Sequence, residues 1–298
     1  MTKRIIAVAF IFACCCMAWG ILGGTVVDRT QTQDREMQQA VGRLWGGEQV
    51  QAAPTVARLE SVREFVTRPS SDSSAAPEQV SVTRTERHPV ALTRTRIDAD
   101  LELEHRRKGL LWYPTYDVAF DGTYGVANET EDDATYAFRF LLPSQAAVFG
   151  DVKMTVDGTP VEARVDGGAL THEVELASGE SAVIAVAYTS QGTSTWRYEL
   201  SPRGTPRTPE AAYDASGQVM ESTGVATIRD FALAMTTDFA DVDFPPGTLS
   251  PTEKRKTGSG WRLAWDKGTL VTDAAIGMAM PQKLNPGPWV SRVTFFAP

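Results

Sequence analysis

Apolar and polar positions follow three successive patterns along this chain. From Ile5 to Val27 runs an apolar stretch with no charged side chain, preceded by Lys3 and Arg4 and closed by Asp28 and Arg29. As a helix rising about 1.5 Å per residue it spans about 34 Å, enough for a bilayer core of roughly 30 Å. Asp28 to Leu44 then turns polar, and Val27, Met37, Val41 and Leu44 leave only a thin apolar stripe. That pattern predicts a stalk that continues the helix outward until Trp45-Gly46-Gly47, because glycine is the usual helix stop. Thr55 to Thr67 alternates weakly and fits a strand or a helix. Arg68 to Gln79, rich in proline, serine and alanine, reads as a linker.

Beyond Val80 the third pattern is β. Val90 to Ile97, Leu101 and Leu103, Leu110 to Phe120, and the alternation Tyr136, Phe138, Phe140, Leu142 all have strand composition. Pro114 predicts an edge or a bulge. Asp121-Gly122 is expected to turn the chain into Tyr124 and Val126. Asp157-Gly158 is expected to close a hairpin between Val152–Val156 and Val161–Val165, and Asp166-Gly167-Gly168 another into Leu170–Leu176. Strands follow at Ala182–Tyr188, Trp196–Leu200, Gly224–Thr236, Trp261–Trp265 and Ala274–Met280.

Short strands at this spacing predict a mainly β fold, an antiparallel β-sandwich behind an N-terminal transmembrane helix. The expected partition is an anchor over 1–27, a polar helical stalk over 28–47, an irregular segment and linker over 48–79, and a sandwich over 80–202. A linker over 203–223 and a second β-block over 224–298, completing or following that sandwich, make up the rest.

The basic start favours a cytoplasmic N-terminus, so everything after Val27 is expected outside, in the periplasm of a bacterial inner membrane. A cleaved signal lacks its small-residue cut site here, because the apolar run continues through Met17, Trp19, Ile21 and Leu22. A lipoprotein reading places Ile11-Phe12-Ala13 before Cys14, with bulky Phe12 where such signals carry a small residue. Cys14, Cys15 and Cys16 are the chain's three cysteines. The exported part therefore has no disulfide and no thiolate metal site. A formal charge of −8, spread through turns and strand faces, gives no attraction for nucleic acid.

Candidate chemistry is sparse. No nucleophile elbow, phosphate loop or dinucleotide fingerprint is present. Glu102-x-Glu104 and Glu173-x-Glu175, near His105 and His172, place carboxylates on one strand face, which reads as the solvated face of a sandwich. Asn128-Glu129-Thr130 matches a glycosylation acceptor. The most distinctive local feature is Arg106-Arg107-Lys108 followed by Trp112, Tyr113 and Tyr116. It suits either a surface for headgroups or a partner, or a charged turn before a buried aromatic strand.

The layout resembles the CreD family of bacterial inner-membrane proteins. The resemblance rests on the N-terminal helix, the stalk ending in Trp45-Gly46, and the segment Arg107-Lys108-Gly109-Leu110-Leu111-Trp112-Tyr113-Pro114-Thr115-Tyr116. The closing Asn285-Pro286-Gly287-Pro288 and Phe295-Phe296-Ala297-Pro298 complete it. In that family further membrane helices follow the exported domain, so this chain resembles a truncated or split relative. The resemblance implies envelope stress response or integrity and supplies no catalytic residue.

The expected function is thus a non-catalytic interaction or sensing domain, held to the membrane by Ile5 to Val27 and working with an envelope protein partner. No cofactor, metal site or catalytic residue is expected, and a small-molecule ligand is not identified by any motif. Arg106, Arg107, Lys108, Trp112, Tyr113 and Tyr116 form the candidate interaction surface. The alternatives are a carbohydrate- or peptidoglycan-binding module and a hydrolase with a carboxylate pair.

Overall fold

The computed structural model describes residues 2–68, 78–109, 111–143, 148–200, 226–272 and 274–283. Helix α1 (Thr2–Trp45) opens the chain without a break. Its Lys3–Thr25 portion is long and apolar enough to cross a membrane, and none of it is buried. It ends where the glycines stand: Gly46 takes a positive φ of 86°, the left-handed conformation that stops a helix and that glycine adopts without a Cβ penalty.

After the helix the chain forms strands, numbered here in order. The first six are β1 (Gln49–Ala52), β2 (Thr55–Arg68), β3 (Glu78–Val90), β4 (Arg94–Lys108), β5 (Leu111–Ala127) and β6 (Ala134–Leu141). Then come β7 (Phe149–Val156), β8 (Thr159–Pro160), β9 (Arg164–Asp166), β10 (Ala169–Leu176), β11 (Ser181–Thr193) and β12 (Thr195–Glu199). The last four are β13 (Ala226–Thr237), β14 (Glu253–Thr257), β15 (Gly260–Thr272) and β16 (Ile276–Ala279).

They assemble into an eight-stranded sheet (β14-β15-β13-β4-β5-β11-β7-β8), a five-stranded sheet (β3-β2-β6-β10-β9) and a three-stranded one (β1-β12-β16). Pairing is antiparallel except at β13–β4 and β1–β12, so the sheets are mixed. The two larger sheets face each other through aromatic side chains. Phe120 of β5 lies 5.8 Å from Phe140 of β6, and Tyr124 lies 5.8 Å from Phe138, in the tilted geometry that ring quadrupoles favour. Buried residues alternate with exposed or half-buried ones along β4 and β6, as burial of one sheet face requires. The small sheet contributes Trp196, Tyr198, Ile276 and Met278 to the same core.

Several expectations are corrected. Residues 55–68 form β2, which pairs with β3 and β6, so much of 48–79 belongs to the sandwich. In the block after 224, expected either to complete or to follow the sandwich, β13 lies beside β4 in the largest sheet. Segments 203–223 and 284–298 lie outside the described residues.

Asp121-Gly122 is no turn but the middle of β5. A Cβ on Gly122 would sit 2.5 Å from the Tyr124 hydroxyl and 2.9 Å from Phe120, so the glycine makes room for two rings on its own strand. Pro114 lies in β5 between β4 and β11 and not on an edge of the sheet. Its carbonyl accepts from Ser194 N on the β11 side, just past Thr115↔Thr193, where the β5–β11 ladder ends. The missing N–H therefore faces a position with no ladder to complete. The two-residue turns at Asp157-Gly158 and Gly167-Gly168 have positive φ at both positions, which matches the twist of tight hairpins. The first hairpin is shorter than expected, ending at Pro160.

Candidate functional site

The basic-aromatic segment singled out in the sequence sits where the helix meets the sandwich. Strands β4 and β5 pair from Arg94↔Gly125 down to Lys108↔Leu111, and Gly109, at φ 62°, helps turn the chain between them. The tip of this hairpin lies against α1: the Met37 thioether would be 3.7–3.8 Å from a Cβ on Gly109. The Arg106 guanidinium stacks 4.0 Å above the Trp45 ring and also pairs with Glu104. Arg107 Nε donates to the Gly109 carbonyl at 3.0 Å, so it is used in closing its own turn.

On the helix side Val41 is buried and Gln38 Nε2 donates to Ser194 Oγ at 3.3 Å. Thr193 then fixes the helix stop, donating from N to Gly47 O and from Oγ1 to Gly46 O, each at 3.2 Å. The far end of the described chain arrives at the same place. His105 Nε2 lies 2.9 Å from Pro281 O, and Lys283 Nζ lies 4.6 Å above the Trp112 ring.

These positions separate the six candidate residues. Tyr113 and Tyr116 are buried, Tyr116 donating to Thr195 O at 2.8 Å, and neither can form part of a contact surface. Burial also holds the Tyr116 hydroxyl well above the usual phenol range. Arg106 and Arg107 are engaged within the joint, and Lys108 and Trp112 are half-buried beside it. The segment is a clasp between helix, hairpin and residues 281–283.

The polar residues that complete the joint carried no sequence signal. Gln49 and Gln51 on β1 are both fully buried. Gln49 Nε2 donates to Gln191 O (2.7 Å) while its Oε1 accepts from Ser190 Oγ (3.0 Å). Gln51 Nε2 donates to Leu141 O (3.0 Å) and Ala52 O (2.8 Å), and its Oε1 accepts the Tyr188 hydroxyl (2.9 Å). Gln51 therefore ties β1 to both large sheets, six residues past the helix end at Trp45. Alternation places glutamines outside a sandwich, and here the hydrogen bonds compensate their burial.

Other candidate chemistry resolves differently. Asn128 is buried. Its Nδ2 donates to the carbonyls of Asp132, Leu176 and Ala177, and its Oδ1 accepts from Thr130 N, Thr130 Oγ1 and the Tyr136 hydroxyl. It organises a corner of the sandwich and offers no free amide to a glycan. Glu173 and Glu175 share an outer face, while His172 pairs with inward-facing Phe138 on the opposite one. Among the described residues no group of three or more His, Cys, Asp or Glu side chains is placed to hold a metal ion.

Glu102 and Asp117 do face each other across β4 and β5, along a shallow depression of about 470 Å³ that also includes Asp100. Further along the same face Asp98 opposes Asp121, whose carboxyl is held above the usual range by partial burial and then by the Asp98 charge. Trp196 and Trp265 are core residues. Trp261 is half-buried, with Nε1 donating to Ala240 O and Lys254 above its ring.

No protein-family model and no curated protein matches this chain. Among solved structures, a Legionella pneumophila protein provisionally described as nutrient-binding overlaps 64% of this chain and 68% of its own, with 12% identity and a TM-score of 0.38. The M1 zinc metallopeptidase of Deinococcus radiodurans overlaps 63% of this chain, which spans only 42% of that enzyme, with 11% identity and a TM-score of 0.35. At such scores neither likeness bears on what this chain does.

Proposed function

We propose that this chain is a membrane-anchored, exported β-sandwich of the bacterial envelope with a non-catalytic interaction or sensing role. The observation that carries the proposal is helix α1. Its Lys3–Thr25 half is apolar with no buried residue, and its other end is locked into the sandwich by Val41, Trp45, Gln38 and Thr193. An exposed apolar surface of that size needs a lipid environment to cover it. The docked end ties the helix to the sandwich, which suits a domain that reports to, or is held by, the membrane.

Geometry favours the clasp reading of the basic turn over headgroup binding. Twelve residues separate Thr25 from Met37, about 18 Å along the helix. The headgroup layer adds only roughly 5–8 Å to each side of the hydrocarbon core. With α1 upright, the turn stands about 10 Å or more above the headgroups, beyond a Debye length of about 8 Å. The CreD resemblance supports a setting in envelope stress response or integrity, and it rests on the sequence motifs alone.

The test is alkaline carbonate extraction of the full chain from bacterial membranes, with the mass of the mature N-terminus. Retention at unprocessed mass supports the anchored reading. A soluble, shortened product overturns it.

A further inference from the structure

The outer face of the five-stranded sheet bears a groove of about 650 Å³ that none of the foregoing uses. Its chemistry follows from the strand register. Thr55, Arg139, Thr171 and Arg164 lie in one row across β2, β6, β10 and β9, all on the face opposite the buried Phe138, Phe140 and Leu170. Arg139 and Arg164 are two strands apart, about 10 Å between Cα atoms. The next row holds Ala57, Ala137 and Glu173, and two small side chains there give the groove its depth. On the other side of the arginine row Asp166 faces outward from β9. Arg87 of β3 and Glu162, on the segment between β8 and β9, complete the walls.

Two features define the chemistry of this groove. Some arginines elsewhere on the surface are held by carboxylates: Arg94 and Arg96 share Asp230, Arg262 pairs with Asp98, and Arg106 with Glu104. Among the described residues the guanidiniums of Arg87, Arg139 and Arg164 have none, although three carboxylates line the same groove. In addition, the charges alternate by row. Acidic Asp166 and Glu173 bracket the Arg139–Arg164 row at about 7 Å on either side, two residues along the strand. A guanidinium presents a planar fork that holds a carboxylate by two parallel hydrogen bonds. Carboxylates at that distance suit ammonium groups. The two aromatic residues at its border, Phe138 and His172, pair in the inward-facing register of the sheet, which disfavours a stacked neutral sugar.

We propose that this groove binds a short zwitterionic peptide, its carboxylate held between Arg139 and Arg164 and its amino groups directed to Glu173 and Asp166. A pure polyanion is repelled by the acidic rows, and a pure polycation by the arginine row. Ala57 and Ala137 leave room for the peptide backbone over the floor. The proposal deepens the non-catalytic interaction reading by naming its ligand class. It is tested separately from membrane anchoring, since peptide binding is measured whether or not the helix is retained.

The experiment is isothermal titration of the detergent-solubilised full chain with the tripeptide lysyl-alanyl-glutamate bearing free termini. The expected result is saturable binding with Kd below about 1 mM, and at least a tenfold loss for the same peptide with its carboxyl groups amidated. Arg139→Gln and Arg164→Gln should each weaken binding about tenfold, while thermal melting stays within about 2 °C of the parent because neither guanidinium has a partner to lose. Ala137→Leu, which fills the floor without changing charge, should also abolish binding. No saturable binding at millimolar peptide overturns the proposal, as does unchanged affinity in both arginine variants. Inorganic phosphate binding as tightly as the peptide overturns it too, since that is the behaviour of a bare anion site.

Discussion

Replacing Gln51 with methionine keeps the length of a fully buried side chain and removes both of its polar ends. Three hydrogen bonds are lost, to Leu141 O, Ala52 O and from the Tyr188 hydroxyl. Each net bond is worth about 1 kcal/mol, and stranding the Tyr188 hydroxyl adds about 1–3 kcal/mol. Burying the thioether returns about 1 kcal/mol, leaving a net loss of about 3–5 kcal/mol. For a chain of this size each kcal/mol lowers Tm by about 2–4 °C, so Gln51→Met should melt at least about 6 °C below the parent. Tyr188→Phe keeps the ring stacked 4.9 Å from Phe120 and strands only the Gln51 carbonyl oxygen, costing about 1–2 kcal/mol. In the double variant neither of these two groups is stranded by loss of the other, so its loss should fall short of the sum by about 1–2 kcal/mol. The assay is thermal and urea denaturation of the full chain in mild detergent, followed by circular dichroism. A Gln51→Met variant within about 2 °C of the parent, or additivity within about 0.3 kcal/mol, would refute the idea that this glutamine joins β1 to both sheets.

Glycine contacts give a paired prediction. A Cβ on Gly260 would lie 1.8 Å from the Thr237 carbonyl oxygen, so Gly260→Ala must push β15 off the chain beside it and should cost more than about 3 kcal/mol. Gly268 of the same strand has open space, and Gly268→Ala should stay within about 0.5 kcal/mol; equal losses in urea melts would contradict the packing. Asn128→Ala should lower stability by about 3 kcal/mol through stranded carbonyls, and the parent made in a eukaryotic secretory host should show no deglycosylation mass shift at Asn128. Asp121 has a folded-state pKa above its unfolded value, so ionised Asp121 costs stability at neutral pH, and that cost disappears as pH falls through the folded pKa. Asp121→Asn should therefore raise Tm at pH 7, with the gain vanishing near about pH 4; a gain that grows on acidification would reverse the sign of the argument.

The strand pattern was legible because alternation is local. Tyr136, Phe138 and Phe140 read as one buried face and form one. Asp157-Gly158 and Gly167-Gly168 read as turns because the dipeptides have little else to do, and both take positive φ. Asp121-Gly122 misled for the same reason in reverse: the dipeptide carries a turn signal, yet the glycine is needed for ring clearance, which depends on side chains two residues away. The candidate site was half legible. Arg106, Arg107 and Trp112 do mark a distinctive place, but whether they face a partner or the chain's own helix depends on where Trp45 and Met37 arrive, more than sixty residues earlier.

By itself the sequence determined the elements: an apolar helix with its stop at Gly46, and strands whose inward faces are written every second residue. Only the tertiary structure decided which strands are neighbours, and with that the parallel seating of β13 against β4 and the burial of Gln49 and Gln51. It also decided which arginines are engaged by carboxylates and which line the groove at Arg139 and Arg164. Periodicity is a property of neighbouring residues, whereas pairing and polar compensation are made between segments far apart in the chain. A local pattern specifies the face a residue occupies and leaves open what it meets there.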